Sequence, residues 1–358
     1  MKLYGKDYAK QELLKKVGDI SQLGGIMLSE MADGQARGVR FAELRNACGI
    51  DMRILIDRGM DISDLRFNSV PLAWKSSVKE TSPAYYDKEG FEWLRTFYGG
   101  LLITCGLTYA GAPNNDNGEE LGLHGMIANI AAENINIDNG WEGNNYILTI
   151  KGTVRQSKVF FENLELKRKI TVPMDEAKII IHDSIENLSS RTTPLMIIYH
   201  MNFGFPLLDG TSYILGAQGK PYPITDEAAK NIDDFSKFAE PLKDFSEHVF
   251  CHDIPAGSDG YSNIALVNEG FNSGQGLGIL LKYKKETLPY LNQWKQAGCG
   301  EYVLGLEPAN CKTYGRKLAR EKGELEFIEP GEVKDYKLEL DILKDIADID
   351  RIKKLLKQ

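Results

Sequence analysis

Three residues far apart in the chain sit in local sequences that bury and aim a side chain: His124 in GLHG, His200 in YHMNFGFP and Glu307 in GLEPANC. Two imidazoles and one carboxylate suffice for a proton donor matched to a proton acceptor near neutral pH. The set therefore points to proton-transfer chemistry. Glu307 carries most of that inference, because it follows YVLGL and precedes Pro308 in an apolar, strand-like segment, and carboxylates are rarely buried without partners. Desolvation there raises its pKa unless cations or N–H donors hold it ionised, and either state serves a general acid or base. Each histidine taken alone also reads as structural. His124 ends a polar loop, and His200 follows the apolar run PLMIIY as a hydrogen-bonded residue at a strand end.

The elements that must position these residues are mostly strands. Short alternating runs, VRFAEL (39–44), MRILI (52–56) and DISDLRF (61–67), predict antiparallel pairing. The runs YILTIKGTVRQ, KVFFENLELKRKITV and KIIIHDSIEN follow one another between Tyr146 and Asn187 as a meander, and SNIALVN, GLGILLKY and YKLELDIL continue the rhythm. Helical spacing of Leu13, Leu14, Val17 and Ile20 predicts an N-terminal helix over the first 20 or so residues, ended by Gly24 and Gly25. Ile349, Ile352 and Leu355 or Leu356 predict a second helix over 347–358. Residues 81–120 and 209–260 break the rhythm and read as long loops that wall a cleft. No composition shift marks a linker, so residues 1–358 read as one large all-β domain with short terminal helices.

Bulk properties exclude several classes. A net charge of -8 lacks the basic footprint of a nucleic-acid binder, and no apolar run is long enough for a membrane-spanning helix. The five cysteines are odd in number, scattered and without a CxxC pair, and the N-terminal MKLYGKDYAKQELLKKVGD lacks an apolar signal core. A cytoplasmic protein with reduced thiols is expected. His182 lies mid-strand and reads as structural. His248, His252 and Asp253 in EHVFCHD match no standard zinc spacing, so no metal is expected, and Asp253 stands among the candidates for substrate contact. GQGLG (274–278) reads as a turn, not a nucleotide site.

Taken in order, GLHG, YHMNFGF and GLEPANC resemble the motifs of the aldose 1-epimerase (galactose mutarotase) superfamily, in particular an uncharacterised epimerase-like branch. That branch also carries segments like RGMDISDLRFNSVPLAWKS, GGLLITCGLTYAGAPNNDNGEELGLHG and LPYLNQWKQAGCGEYVLGLEPANC. The resemblance spans nearly the whole chain. It implies a large antiparallel β-supersandwich with a sugar bound across one concave sheet, and a cofactor-independent isomerase. Glu307 would take the proton of the anomeric hydroxyl, His200 would protonate the ring oxygen, and His124 would stabilise the ring or anomeric oxygens.

The chain also departs from the well-studied mutarotases. Where they carry an Asp-His pair before Phe, this sequence has Glu247 and His248, and their early Arg motif has no clear counterpart. Arg58 and Lys75 are candidates to replace it, Arg58 being equally readable as an ion-pair partner of Asp57 or Asp61. Trp294 could stack on a sugar ring and Lys295 or Arg316 could bind a hydroxyl or acidic substituent. Asn202 shares a strand face with His200. These basic residues hint at an acidic or phosphorylated sugar. A non-catalytic sugar-binding protein is the alternative reading, lyase or glycosidase chemistry a more distant one, and a homodimer is possible.

Overall fold

A computed structural model describes residues 1–356, and the statements below refer to those residues. Three antiparallel sheets dominate. The largest has nine strands, ordered Glu133–Ile137, Asn145–Ser157, Asn163–Pro173, Lys178–Asn187, Val333–Leu343, Leu277–Lys284, Tyr261–Asn268 and Ser212–Leu215, with Gly140–Glu142 also on the second of these. A seven-stranded sheet runs Tyr222–Pro223, His248–His252, Tyr290–Gly298, Glu301–Ala309, Thr193–Phe203 and Glu326–Ile328, with Ile103–Leu107 also pairing Thr193–Phe203. A five-stranded meander spans Gly25–Pro71.

Period-two alternation explains how the sheets face one another. On Lys178–Asn187, Ile179, Ile181 and Ile185 are buried while His182 is exposed. The strand Thr193–Phe203 is different, since nearly every residue is buried and both of its faces are covered. Ile197, Tyr199, Met201 and Phe203 enter the main core shared with the nine-stranded sheet. Met196 and Ile198 point the other way, into a second cluster with Trp93, Phe97 and Ile103. His200 has the same parity as Met196 and Ile198, so it belongs to that second face.

A buried charge cluster knits the sheets beneath the His200 strand. Arg168 meets Asp61 and Asp183 at 2.6 Å each, Thr104 Oγ1 donates to Asp61 (2.6 Å), and Tyr199 donates its phenolic hydrogen to Asp183 (2.9 Å). Removing one partner would leave an uncompensated buried charge, which makes such clusters costly to break.

Several boundaries differ from the sequence reading. The N-terminal segment is not one helix: Lys2–Leu3 pairs with Lys6–Asp7 around a left-handed Tyr4–Gly5 turn, and only Lys10–Leu14 is α-helical before a short 3-10 turn at Ile20–Gln22. The C-terminal helix runs Ile346–Leu355, capped by Asp345 accepting from the Asp348 N–H, with Ile349 and Ile352 packed on Val267 and Leu280; residues 357 and 358 lie outside the described residues. The strand expected from Lys158 starts at Asn163, because Phe160 takes a left-handed turn conformation. The two stretches read as long loops contain structure: Ile103–Leu107 is a fully buried strand, and 209–260 holds the strands Ser212–Leu215 and His248–His252 and the helix Asp226–Lys230. The glycine-rich surroundings of ITCGL hid a strand whose pairing partner lies about 90 residues downstream.

Candidate functional site

The seven-stranded sheet brings two of the three singled-out residues together by register. Ile198 pairs with Ala309 and Met201 with Leu306, so His200 falls directly across from Glu307. Asn292 opposes Glu307 on its other side, in the hairpin Tyr290–Gly298/Glu301–Ala309. Cross-strand neighbours on one face lie within about 5 Å at Cβ, and His200 Nε2 comes to 3.1 Å from Glu307 Oε1. The contact lacks hydrogen-bond alignment, and Glu307 Oε1 has no other partner. Gly305 makes the approach possible: a Cβ there would stand 2.6 Å from Glu307 Oε1, 3.1 Å from Trp294 Cβ and 3.4 Å from His200 Cε1.

His124 arrives from a loop held by backbone hydrogen bonds. Its N–H donates to Gly111 and its carbonyl accepts from Gly106. The residue is left-handed, as is Gly125, where a Cβ would come 2.2 Å from the Gly106 oxygen. The GLHG motif is therefore a turn pressed against another backbone. It sets the His124 ring 5.6 Å from the His200 ring, edge-on, and 4.9 Å from Trp93.

These groups form the floor of a cavity of about 450 Å³. Trp93, Phe97 and Trp294 ring the floor, while Leu94, Leu123, Ile224 and Val249 form much of the wall. Trp294 donates its indole N–H to Glu247 at 2.7 Å, so Glu247 stands at the exposed rim. Buried Trp93 Nε1, Thr313 Oγ1, Tyr314 Oη and the Nδ1 atoms of His124 and His200 have no hydrogen-bond partner. All five residues line the cavity.

Burial sets the protonation states. Desolvation, aided by the Glu247 charge, pushes the Glu307 carboxyl up to about 8. Desolvation takes His124 down to about 4 and His200 well below its ordinary value, the latter also opposed by His124. At neutral pH the free site thus holds a carboxylic acid and two neutral imidazoles, and the mobile proton of the close Glu307–His200 pair rests on the carboxyl.

Other predicted residues lie elsewhere. Arg58 is fully buried and donates to the carbonyls of Ala128, Thr81 and Thr96 and to Thr81 Oγ1. It pairs with neither Asp57, held by Arg40, nor Asp61, held by Arg168. Its place is to tie the segment bearing Trp93 and Phe97 to the turn just after His124. Lys75 pairs with Asp64 and Glu80, outside the cavity. Lys295 points to the opposite face from Trp294 and caps the carbonyls of Asp234 and Lys237. Asn202 is locked to the carbonyls of Gly100 and His200. Asp253 is exposed and paired with Lys285. Arg316 is engaged by Asp116 and Glu119. None of these six lines the cavity. His252 bonds Gln293 at 2.7 Å and His248 contacts Asn231 at 3.3 Å.

Sequence reasoning missed Trp93, Phe97, Leu94 and Tyr314. FEWLRTFY places four aromatics in eight residues of a supposedly polar loop, and that density was the available signal. Ile224 and Val249 carry no signal distinguishable from ordinary core.

The fold belongs to the galactose mutarotase-like class. A Klebsiella pneumoniae protein provisionally named an aldose 1-epimerase superposes with a TM-score of 0.86 at 22% identity, over 94% of this chain and 91% of its own. A galactose mutarotase-like protein of Clostridium acetobutylicum gives 0.60 at 15% identity (90% and 99% covered), and galactose 1-epimerase of Lactobacillus acidophilus gives 0.56 at 14% (89% and 98%). Residues 36–342 match the family described as a domain of unknown function, DUF4432, and the chain belongs to that family. No curated protein matches the sequence. No described helix is long and apolar enough to cross a membrane.

Proposed function

We propose that the protein is a carbohydrate mutarotase that interconverts sugar anomers without a cofactor. The observation that carries this reading is the buried Glu307–His200 contact of 3.1 Å, beside His124, at the floor of a sugar-sized cavity. Anomer exchange needs one proton removed from the anomeric hydroxyl and one supplied to the ring oxygen, with no redox change. A pair holding a single mobile proton meets that need. Transfer of the proton from Glu307 to His200 gives a carboxylate base beside an imidazolium acid, and their attraction at this separation in a low-dielectric site offsets part of the cost of charging them. Glu307 then takes the anomeric proton as the bond between C1 and the ring oxygen breaks, and His200 protonates that oxygen. Rotation of the aldehyde and the reverse steps close the other anomer and restore the pair. His124, uncharged, can hydrogen-bond either oxygen, and Trp294 offers a flat face to a sugar ring.

The test is anomer exchange measured by saturation-transfer NMR on a panel of aldoses and ketoses. Exchange faster than buffer, lost in Glu307→Gln, is expected; buffer-rate exchange for every sugar refutes the proposal. Sugar binding detected by calorimetry without any acceleration would instead favour a non-catalytic sugar-binding protein. Glu247 supplies a second carboxylate, as glycosidases require, but its exposure and its bond to Trp294 favour a role in binding.

A further inference from the structure

The cavity's polar and apolar parts are unevenly distributed about the three floor residues. Around His200, the nearest rings are Phe97 at 5.5 Å and Trp294 at 5.6 Å, besides His124. The only polar atom of Trp294 is committed to Glu247, and Phe97 has none. The unclaimed hydroxyls, Thr313 Oγ1 and Tyr314 Oη, come from the chain just beyond the Glu307 strand. Thr225 Oγ1 already accepts the N–H groups of Ala228 and Val249.

Charge is uneven in the same way. No Lys or Arg lines the cavity among the described residues. Lys312 and Lys322 reach the Tyr314 ring, at 5.7 and 5.0 Å, without lining it, and Lys312 is paired with Glu324 at 2.8 Å. An anionic substituent inside would be desolvated beside Glu247 with no counter-ion, which is prohibitive.

The inference that follows rests on the proposed function. If His200 serves the ring oxygen, the substituent on C5 of an aldopyranose lies two bonds from the atom that His200 protonates. It must pack among the aromatic neighbours of His200. We propose that the site is built for an uncharged aldose carrying a methyl group at C5, a 6-deoxyhexose, in preference to a hexose, a uronic acid or a 6-phosphorylated sugar. A methyl buries well against Phe97 and Trp294, whereas a hydroxymethyl packed there loses its hydrogen bonds to water and gains none from either ring.

Matched pairs isolate this one substituent: 6-deoxy-D-galactose with D-galactose, 6-deoxy-D-glucose with D-glucose, and L-rhamnose with L-mannose. D-galactose 6-phosphate and D-galacturonate supply the anions. The readout is kcat/KM for anomer exchange on the wild-type chain. At least one deoxy sugar should exceed its parent by about tenfold, and the anions should fall about a hundredfold or more below that deoxy sugar. Parity within every pair, or preference for a hexose or an anion, overturns the proposal. Exchange at the spontaneous rate for all sugars sinks the mutarotase reading instead, and calorimetric affinities of the same pairs then decide the recognition claim by the same ordering. Phe97→Asn places an amide beside the C5 substituent and should shrink the deoxy-to-parent ratio severalfold. Both rates come from one preparation, so partial misfolding cancels from the ratio, and an unchanged ratio counts against the proposal.

Discussion

Replacing Glu307 by Gln should stabilise the protein increasingly as pH rises, while abolishing anomer exchange. Burial takes the carboxyl from its ordinary 4.5 to about 8. Between those values the folded chain retains a proton that the unfolded chain has released, so stability falls with rising pH. The group's contribution is intact below 4.5 and fully lost above about 8. Integrating the linkage relation gives a loss of about 3 kcal/mol between pH 4 and 7 and about 1 kcal/mol more by pH 9. Gln has the same shape and no titration, so the variant escapes both losses. The stability difference between variant and wild type should therefore be near zero at pH 4, about 3 kcal/mol at pH 7 and about 4 to 5 kcal/mol at pH 9. Urea unfolding at the three pH values measures it, with equal m-values required for the comparison. A difference that does not change with pH would mean that Glu307 ionises at an ordinary value, and the desolvation argument for its role would fail.

The same electrostatics predict the rate profile: after subtraction of the buffer rate, kcat/KM should be level near neutrality and fall about tenfold per pH unit above about 8, where the Glu307–His200 pair loses its proton. A rate that keeps rising through pH 9 would contradict a shared proton. Gly305→Ala should lower kcat by about a hundredfold or more, because its methyl would sit 2.6 Å from Glu307 Oε1; circular dichroism should show the fold retained, since the displaced atom ends a side chain. Arg58→Met should cost about 3–5 kcal/mol in urea unfolding, because it leaves the carbonyls of Ala128, Thr81 and Thr96 unpaired. A loss under 1 kcal/mol would refute the clamp assigned to Arg58.

The strands were legible where one face meets solvent. KIIIHDSIEN gave its own bounds, 178–187, because its exposed positions interrupt the isoleucines. Strands buried on both faces lose that signal, and ITCGL at 103–107 was the casualty. At the N-terminus Leu13 and Val17 do face the core, yet residues 2–7 form a hairpin around the Tyr4–Gly5 turn and only Lys10–Leu14 is α-helical. The basic candidates lie away from the cavity for a common reason. A single sequence marks Arg58, Lys295 and Arg316 as cations but not what they satisfy, and in each case the partners are carbonyls or carboxylates brought in from segments about 20 to 200 residues away.

The juxtaposition of Glu307 with His200 has a different origin from either. Nothing local in YHMNFGFP or GLEPANC specifies the other, yet a slip of one residue between the two strands would point one side chain into the main core and the other into the cavity. The register is pinned on both sides of the pair: Ile198 opposes Ala309 on one side, and Met201, Asn202 and Phe203 oppose Leu306, Gly305 and Leu304 on the other. The flanking residues alternate between the two hydrophobic clusters, so both clusters must be filled correctly at once for the strands to pair. The apolar neighbours that give His200 a structural reading and set Glu307 apart are thus the parts that aim them, and the burial those neighbours impose is what lifts the carboxyl and depresses the imidazole. Core packing and the shifted proton affinities at this site are consequences of the same register.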